Sequence, residues 1–333
     1  MIGKLVVITL LGSVFFACNR SFPTVSLVYN STFPKDTIIN LEKILMSPAQ
    51  LNARCMLLSN DKILIRTSTS DDAIYSVFSY PEMKHLAYFG SESEYVVPIE
   101  QFNDDLYLVR GDSLCFYKWI EGDSLKQFST SYFYNVMGQR MLGVAKMNDN
   151  LYAYCGNYND RGNGEFFMID LLKREKKTRG VYPNSSVGFS SIHDFKSAYA
   201  HDIVSKPDGS HLLVFYLRTR RFRIYNREGI LLNDILLNYE PCQYVVDTNI
   251  KKRFSHVRDV FVTDDKIYLL CLDTRKENST SSLIVAKWNG EFLARYHLDK
   301  YISYFFIDEM ANRFCGINSD DPYYFYLFEL DKN

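Results

Sequence analysis

Short apolar runs recur along the chain, each entered through a turn rich in Asn and Asp. The turns stand at Asn60-Asp61, Asn103-Asp104-Asp105, Asn148-Asp149-Asn150, Pro207-Asp208-Gly209, Thr263-Asp264-Asp265 and Asp308-Glu309. After each turn comes an apolar strand, then a loop, then a second, aromatic-rich strand. Counted from the first Asp of each turn, the steps are 43, 45, 59, 56 and 44 residues. A period of this size filled with strands predicts an all-β, six-bladed β-propeller with four-stranded blades.

The fifth repeat is the clearest. Val257–Val262 reads as the innermost strand and Lys266–Leu272 as the second. Leu283–Trp288 reads as the third and Glu291–Leu298 as the outer one, with Asn289-Gly290 as a strong hairpin turn between them. The same script fits Ala53–Gly90, Tyr95–Thr130, Leu142–Val181 and Ala198–Leu237. Blade six has only three strands, ending at Leu330, because Asp331-Lys332-Asn333 is too short to supply a fourth. The ring is therefore expected to close by an N-terminal strand, Thr24–Asn30, pairing with the last blade and protecting both edges. Leu41–Met46 reads as a short helix or as a further strand.

The N-terminus carries an address. Lys4 is followed by an uncharged run, Leu5–Ala17, ending at Cys18. Such a run is short for a bilayer span and suits the apolar region of a secretory signal. Phe15-Phe16-Ala17-Cys18 resembles a bacterial lipobox, in which the cysteine becomes the lipidated first residue; the alternative is an ordinary signal peptide cleaved near Ala17. The expected organisation is a lipoprotein signal peptide (1–17), a lipidated tether (18–23) and one propeller domain (24–330). The acyl chains would anchor the chain at the cell envelope, on the periplasmic or surface face of the outer membrane, with no transmembrane helix in the mature protein. Of the other cysteines, Cys155, Cys271 and Cys315 fall at matching places in the strand after the turn, where a thiol acts as a small core hydrophobe. No Cys-x-x-Cys occurs, which argues against a zinc knuckle or a redox pair.

Composition narrows the partners. The chain has 333 residues, and 25 Tyr with 24 Phe lean it towards β structure. The formal net charge of −1 provides no basic field for nucleic acid or anionic lipid. Two basic clusters, Lys173-Arg174-Glu175-Lys176-Lys177 and Arg218-Thr219-Arg220-Arg221, read as solvated strand edges.

Three stretches resemble a known family: Ser205-Lys206-Pro207-Asp208-Gly209, Arg223-Ile224-Tyr225-Asn226-Arg227-Glu228-Gly229 and Ala286-Lys287-Trp288-Asn289-Gly290-Glu291. They are similar to the strand–turn–strand signatures of TolB-like six-bladed propellers, and with the lipobox the chain resembles the TolB-like propeller lipoproteins of Bacteroidetes. The resemblance implies six blades, export and a lipid anchor, and it carries no catalytic residues. It also makes Asp36-Thr37-Ile38, Asp112-Ser113-Leu114 and Asp123-Ser124-Leu125 similar to the O-glycosylation acceptor pattern of that phylum.

Catalytic motifs are scarce. There is no Gly-x-Ser-x-Gly elbow, His-Glu-x-x-His, Gly-rich phosphate loop or EF-hand loop, and neither a metal nor a cofactor is expected. The candidate ligand-binding residues are His201, Asp202, His256, Arg258 and Asp259, each at the start of an innermost strand and so at one mouth of the channel. Such groups can hold an anionic or hydroxyl-rich ligand by charge-assisted hydrogen bonds; the alternative is that they bond to neighbouring blades and backbone. His193-Asp194 lies near the same mouth. The longer steps place extra residues at Val181–Ser197 and Asn238–Ser255, and insertions of this kind gather on a binding face. The expectation is a monomeric, non-enzymatic module for an envelope protein or saccharide partner. Its rival is an envelope hydrolase or lyase using channel-mouth His and Asp residues with a divalent metal, and a third reading is a sensor for a small envelope metabolite.

Overall fold

The computed structural model describes residues 26–30, 32–50, 52–67, 75–90, 100–102, 105–110, 113–120, 124–132, 143–155, 164–183, 188–239, 255–272 and 280–330. The leader, the lipidation candidate Cys18 and most of the Asn238–Ser255 insertion lie outside them. Three strands precede the first repeat: β1 (Leu27–Asn30), β2 (Asp36–Ile39) and β3 (Glu42–Leu45). Blade one is β4 (Cys55–Ser59), β5 (Lys62–Arg66), β6 (Tyr75–Ser79) and β7 (His85–Phe89). Blade two is β8 (Glu100–Phe102), β9 (Asp105–Arg110), β10 (Ser113–Ile120) and β11 (Ser124–Tyr132). Blade three is β12 (Gly143–Lys146), β13 (Leu151–Cys155), β14 (Phe166–Asp170) and β15 (Glu175–Arg179). Helix α1 (Ile192–Ala198) precedes blade four, which is β16 (His201–Ser205), β17 (His211–Tyr216), β18 (Arg221–Asn226) and β19 (Leu231–Leu237). Blade five is β20 (Val257–Val262), β21 (Lys266–Leu272), β22 (Ser281–Lys287) and β23 (Phe292–Leu298). Blade six takes β24 (Tyr304–Asp308), β25 (Arg313–Asn318) and β26 (Asp321–Glu329) from the C-terminus.

The six sheets, one per blade, form a six-bladed propeller, and the four strands of each blade run antiparallel. Turn chemistry sets the registers. Asn60 and Asp61 both adopt positive φ, the geometry of a two-residue hairpin whose twist matches its strands, and Ser59 faces Lys62 across it. Gly290 (φ +85°) closes the β22–β23 hairpin as Asn289-Gly290 predicts.

A blade is apolar on both faces, so it needs a neighbour on each side. Six clusters of buried side chains lie one between each pair of successive blades. Leu64 and Tyr75 meet Leu106 and Tyr117 between blades one and two. Leu213 and Phe222 meet Leu269 and Ile284 between four and five. Met56, Ile63 and Phe78 meet Phe306, Cys315 and Phe325 between one and six, completing the circle. Each such Leu, Ile or Phe is worth about 1.5–3 kcal/mol when fully buried. Cys155, Cys271 and Cys315 are buried thiols within these seams, as their spacing predicted.

Closure differs from expectation in which segment performs it. The fourth strand of blade six is β3, antiparallel to β26, with Ile44 opposite Phe325. β1 instead lies parallel to β19 on the rim of blade four, and β2 lies parallel to β23 on blade five. The N-terminal segment is thus a belt that adds one strand to each of three successive blades. Asp36 fastens it: its carboxylate accepts from Arg295 Nε and Nη2 and faces His297 Nε2 at 2.7 Å. The bond to Arg295 holds the Asp36 pKa below the usual carboxylate range.

Two further expectations are corrected. The insertion before blade four carries α1, capped by Ser191 Oγ accepting from Asp194 N at 3.1 Å, so Ala198 ends a helix and does not begin a strand. The Arg218–Arg221 cluster is no solvated edge, since Arg220 is 1% and Arg221 7% exposed. The Lys173–Lys177 cluster is exposed, as expected. Ser113, in one of the glycosylation-like tripeptides, is buried.

Blades three and four meet backbone to backbone at Gly209. It has φ +67°, and a Cβ there would stand 1.7 Å from the Met147 carbonyl oxygen. Gly209→Ala is expected to lower the unfolding free energy by about 2 kcal/mol or more, read from denaturant melts.

Candidate functional site

The first strands of the blades line the axis, with β12 against β16, β20 against β24 and β24 against β4. Asp202 and Asp259 hold corresponding places: each sits three residues before the last pair of its strand, Ser205–Leu212 in blade four and Val262–Ile267 in blade five. The matching position is Gly143 in blade three and Phe305 in blade six. Both carboxylates adopt one local geometry. Asp202 Oδ1 accepts from the Ile203 amide at 2.8 Å, and Asp259 Oδ1 from the Val260 amide at 3.0 Å.

Their neighbours explain their placement. Asp259 Oδ2 accepts from the Phe305 amide at 3.0 Å, stapling blade five to blade six. Asp202 occupies the space above Gly143, where a Cβ would be 1.8 Å from its Oδ1, so the carboxylate fits only because blade three has no side chain there. Surrounding protein removes water from both groups. Desolvation raises Asp202 to about 6 and Asp259 to about 7; backbone hydrogen bonds oppose the shift in both, and Arg258 opposes it at Asp259. The Asp202 charge adds to the rise at Asp259.

Arg258 is the bulged residue of β20, at the register shift between Val257 and Asp259. Its guanidinium lies 5.7 Å from the centre of the Tyr301 ring, and its Nε is buried without a hydrogen-bond partner. Tyr304 stands beside it on β24. Burial raises the Tyr304 hydroxyl, with Arg258 opposing and Asp259, Cys55 and Tyr301 adding to the rise. Asp259 and Arg258 thus gather with Tyr301 and Tyr304 where β20 meets β24, while Asp202 holds the corresponding place on β16; the sequence reading missed the two tyrosines. Their signal was positional: both precede or begin the first strand of blade six, as the predicted residues do in blades four and five.

The two histidines are placed elsewhere. His201 packs between Tyr182 and Tyr216, with Nδ1 3.0 Å from the Tyr199 carbonyl and Nε2 2.7 Å from the Glu165 carbonyl. Burial lowers its pKa although both carbonyls favour the protonated ring. His256 Nδ1 accepts from Arg220 Nε at 3.3 Å, and its backbone bridges Leu217 and Leu272. Arg220 in turn donates to the Leu272 carbonyl and lies over the Tyr239 ring.

Behind His201 lies a buried ionic network that joins the insertion to blades three and four. Arg223 donates to Asp234 Oδ2, to Glu165 Oε1 at 2.9 Å and to the Val181 carbonyl at 2.6 Å. Arg221 forms a forked pair with Asp234, and Tyr225 donates to Glu165. Burial raises Glu165 to about 7, whereas the two arginines outweigh burial at Asp234 and lower it. Two cations and two anions balance, so the cluster is stable as a set and costly to break singly. Among the described residues no three His, Cys, Asp or Glu side chains converge to hold a metal ion, and no helix is long and apolar enough to cross a membrane.

No protein-family model matches this chain, and no curated protein matches its sequence. Solved structures do. A member of the DUF4221 family from Bacteroides vulgatus has 8% identity and a TM-score of 0.53, the match covering 87% of this chain and 99% of that one. A Bacteroides fragilis protein named as exported has 11% identity and a TM-score of 0.51, covering 92% and 100%. A Bacteroides thetaiotaomicron protein of unknown function has 9% identity and a TM-score of 0.51, covering 89% and 74%. These likenesses show the fold alone.

Two outcomes follow from the charges. An acid whose pKa is raised by folding binds more protons folded than unfolded, so stability falls as pH rises from about 4 to about 7. Asp202→Asn/Asp259→Asn is expected to flatten the wild-type decline between about pH 4 and 7, measured as the shift in denaturant midpoint. Arg223→Ala leaves Glu165 buried and uncompensated and is expected to cost about 3–5 kcal/mol, part of which returns in Glu165→Gln/Arg223→Ala.

Proposed function

We propose that this protein is an exported, lipid-anchored envelope propeller that binds a partner, protein or saccharide, at the channel mouth of blades four to six, without catalysing a reaction. One observation carries the reading. The two longest inter-blade connections, before β16 and before β20, lead directly into the strands that present Asp202, Arg258 and Asp259. Loops that gather at one mouth, over fixed charges on a rigid ring, make a recognition surface. The buried network supports it by tying the start of the first insertion, at Val181, to the ring. Export is supported by the leader ending at Cys18 and by the exported Bacteroides fragilis protein of the same fold. Of the channel-mouth histidines, His201 is engaged by the fold, because both its ring nitrogens face backbone carbonyls.

Chemical cross-linking in intact cells, followed by mass spectrometry of what is captured with the protein, tests the reading. One dominant partner is expected, lost when residues 240–254 are replaced by a short linker. Absence of any reproducible partner, or a partner indifferent to that replacement, would overturn it. Cys18→Ala is expected to move the protein from the membrane to the soluble fraction.

A further inference from the structure

The rims of the blades are not finished alike. β1 joins β19 and β2 joins β23 at equivalent places. Each of these outer strands carries one bulged residue, Leu232 and Leu293, skipped where its ladder shifts register. Each belt strand begins its parallel pairing two residues beyond that bulge, Leu27 opposite Asp234 and Asp36 opposite Arg295. The outer strand of blade two has the same device. The β10–β11 ladder shifts between Phe116 and Tyr117 and skips Phe128, so Thr130 holds the place of Asp234 and Arg295. Among the described residues no strand lies beyond β11. Where the belt covers β19, Asp234–Leu237 are buried, whereas on β11 Phe128 remains 49% and Tyr132 53% exposed. A long outer strand left open in this way is a template for another strand.

Charge selects what fits there. Lys118 and Lys126 stand directly opposite each other across β10 and β11, and both are exposed. Like charges so placed destabilise a ladder. Neither has an ion-pair partner among the described residues; Lys118 Nζ lies 5.8 Å from the centre of the Phe128 ring. Blade five shows how a basic rim is satisfied, because β2 brings the Asp36 carboxylate to Arg295. We infer that β11 is a strand-acceptor site for an extended segment of a partner protein. That segment carries acidic residues followed by alternating aliphatic and polar ones. It pairs in parallel from Thr130 onwards, as β1 and β2 do on their blades, and sets its carboxylates against Lys118 and Lys126. Main-chain hydrogen bonds supply the affinity, and the two lysines select the sequence and its direction. This surface, on the rim of blade two, is separate from the channel mouth of blades four to six.

Fluorescence polarisation with defined peptides tests it on the purified protein. The probe is an N-terminally labelled Glu-Glu-Ser-Val-Thr-Ile-Thr-Val, and saturable binding is expected. A probe with Lys-Lys in place of Glu-Glu should bind about tenfold more weakly. One with Pro in place of the first Thr cannot complete the ladder and should not bind. Lys118→Glu/Lys126→Glu alters exposed side chains only and should invert the preference, taking the Lys-Lys probe over the Glu-Glu one. Should that variant fail to fold, the three probes decide the matter on the wild-type protein. Replacing residues 240–254 should leave binding unchanged, because that connection belongs to the other site. No saturable binding of the Glu-Glu probe, or equal binding of all three probes, overturns the inference. Light scattering that finds a dimer dispersed by the charge swap would overturn it too, since the rim would then hold a second copy. Failure here leaves the channel-mouth reading standing, and a cellular partner indifferent to the 240–254 replacement would sink that reading without touching this one.

Discussion

Each blade of this protein has two apolar faces and no helix layer to cover either, so no blade can satisfy itself. Burial comes only from the next blade, and the last must meet the first. The seam between blades one and six, with Phe78 against Phe325 at a ring separation of 5.3 Å, is where that circle is completed. It is supported by β3, whose Ile44 packs against the same cluster while pairing with β26. The rest of the molecule depends on this closure, because the channel and its mouth exist only in a closed ring.

The belt extends the same logic to the rim. Outer strands expose unpaired backbone groups that invite association. On blades four and five those groups are taken by β1 and β2, and on blade three the rim strand β15 is almost wholly charged, Glu175-Lys176-Lys177-Thr178-Arg179. Phe33, between β1 and β2, stacks edge-on against Tyr239 and Phe292 and lies under Arg295, so the belt is held by packing as well as by the Asp36 ion pair. An N-terminal anchor would then pull on a segment sewn to three blades.

Much of the ring was legible because its signals are local. An Asn-Asp or Asn-Gly turn between alternating runs fixes a hairpin without help from distant residues, and the observed strands begin and end within a few residues of the expected ones. The belt was misread because Thr24–Asn30 and Glu42–Leu45 are both short and mix polar with apolar residues, and nothing in either says which rim will accept it. The insertion helix was missed since its seven residues depend on one cap and on Arg218 donating to the Ser197 carbonyl. Arg221 looked like part of a solvated edge because its counter-charge, Asp234, lies 13 residues further along the chain on β19.

The candidate site divides along the same line. Asp202, Arg258 and Asp259 could be selected from the sequence, because each follows a long connection and opens a first strand. That His201 turns away to backbone carbonyls and that Tyr301 and Tyr304 join the mouth are matters of how neighbouring blades approach. By itself the sequence determined the number of repeats, the strands within them and their turns, all set by side chains a few residues apart. Only the tertiary structure decided which rim each N-terminal strand covers, which arginines are buried, and which groups meet at the mouth, because those outcomes are set by contacts between blades far apart in the chain.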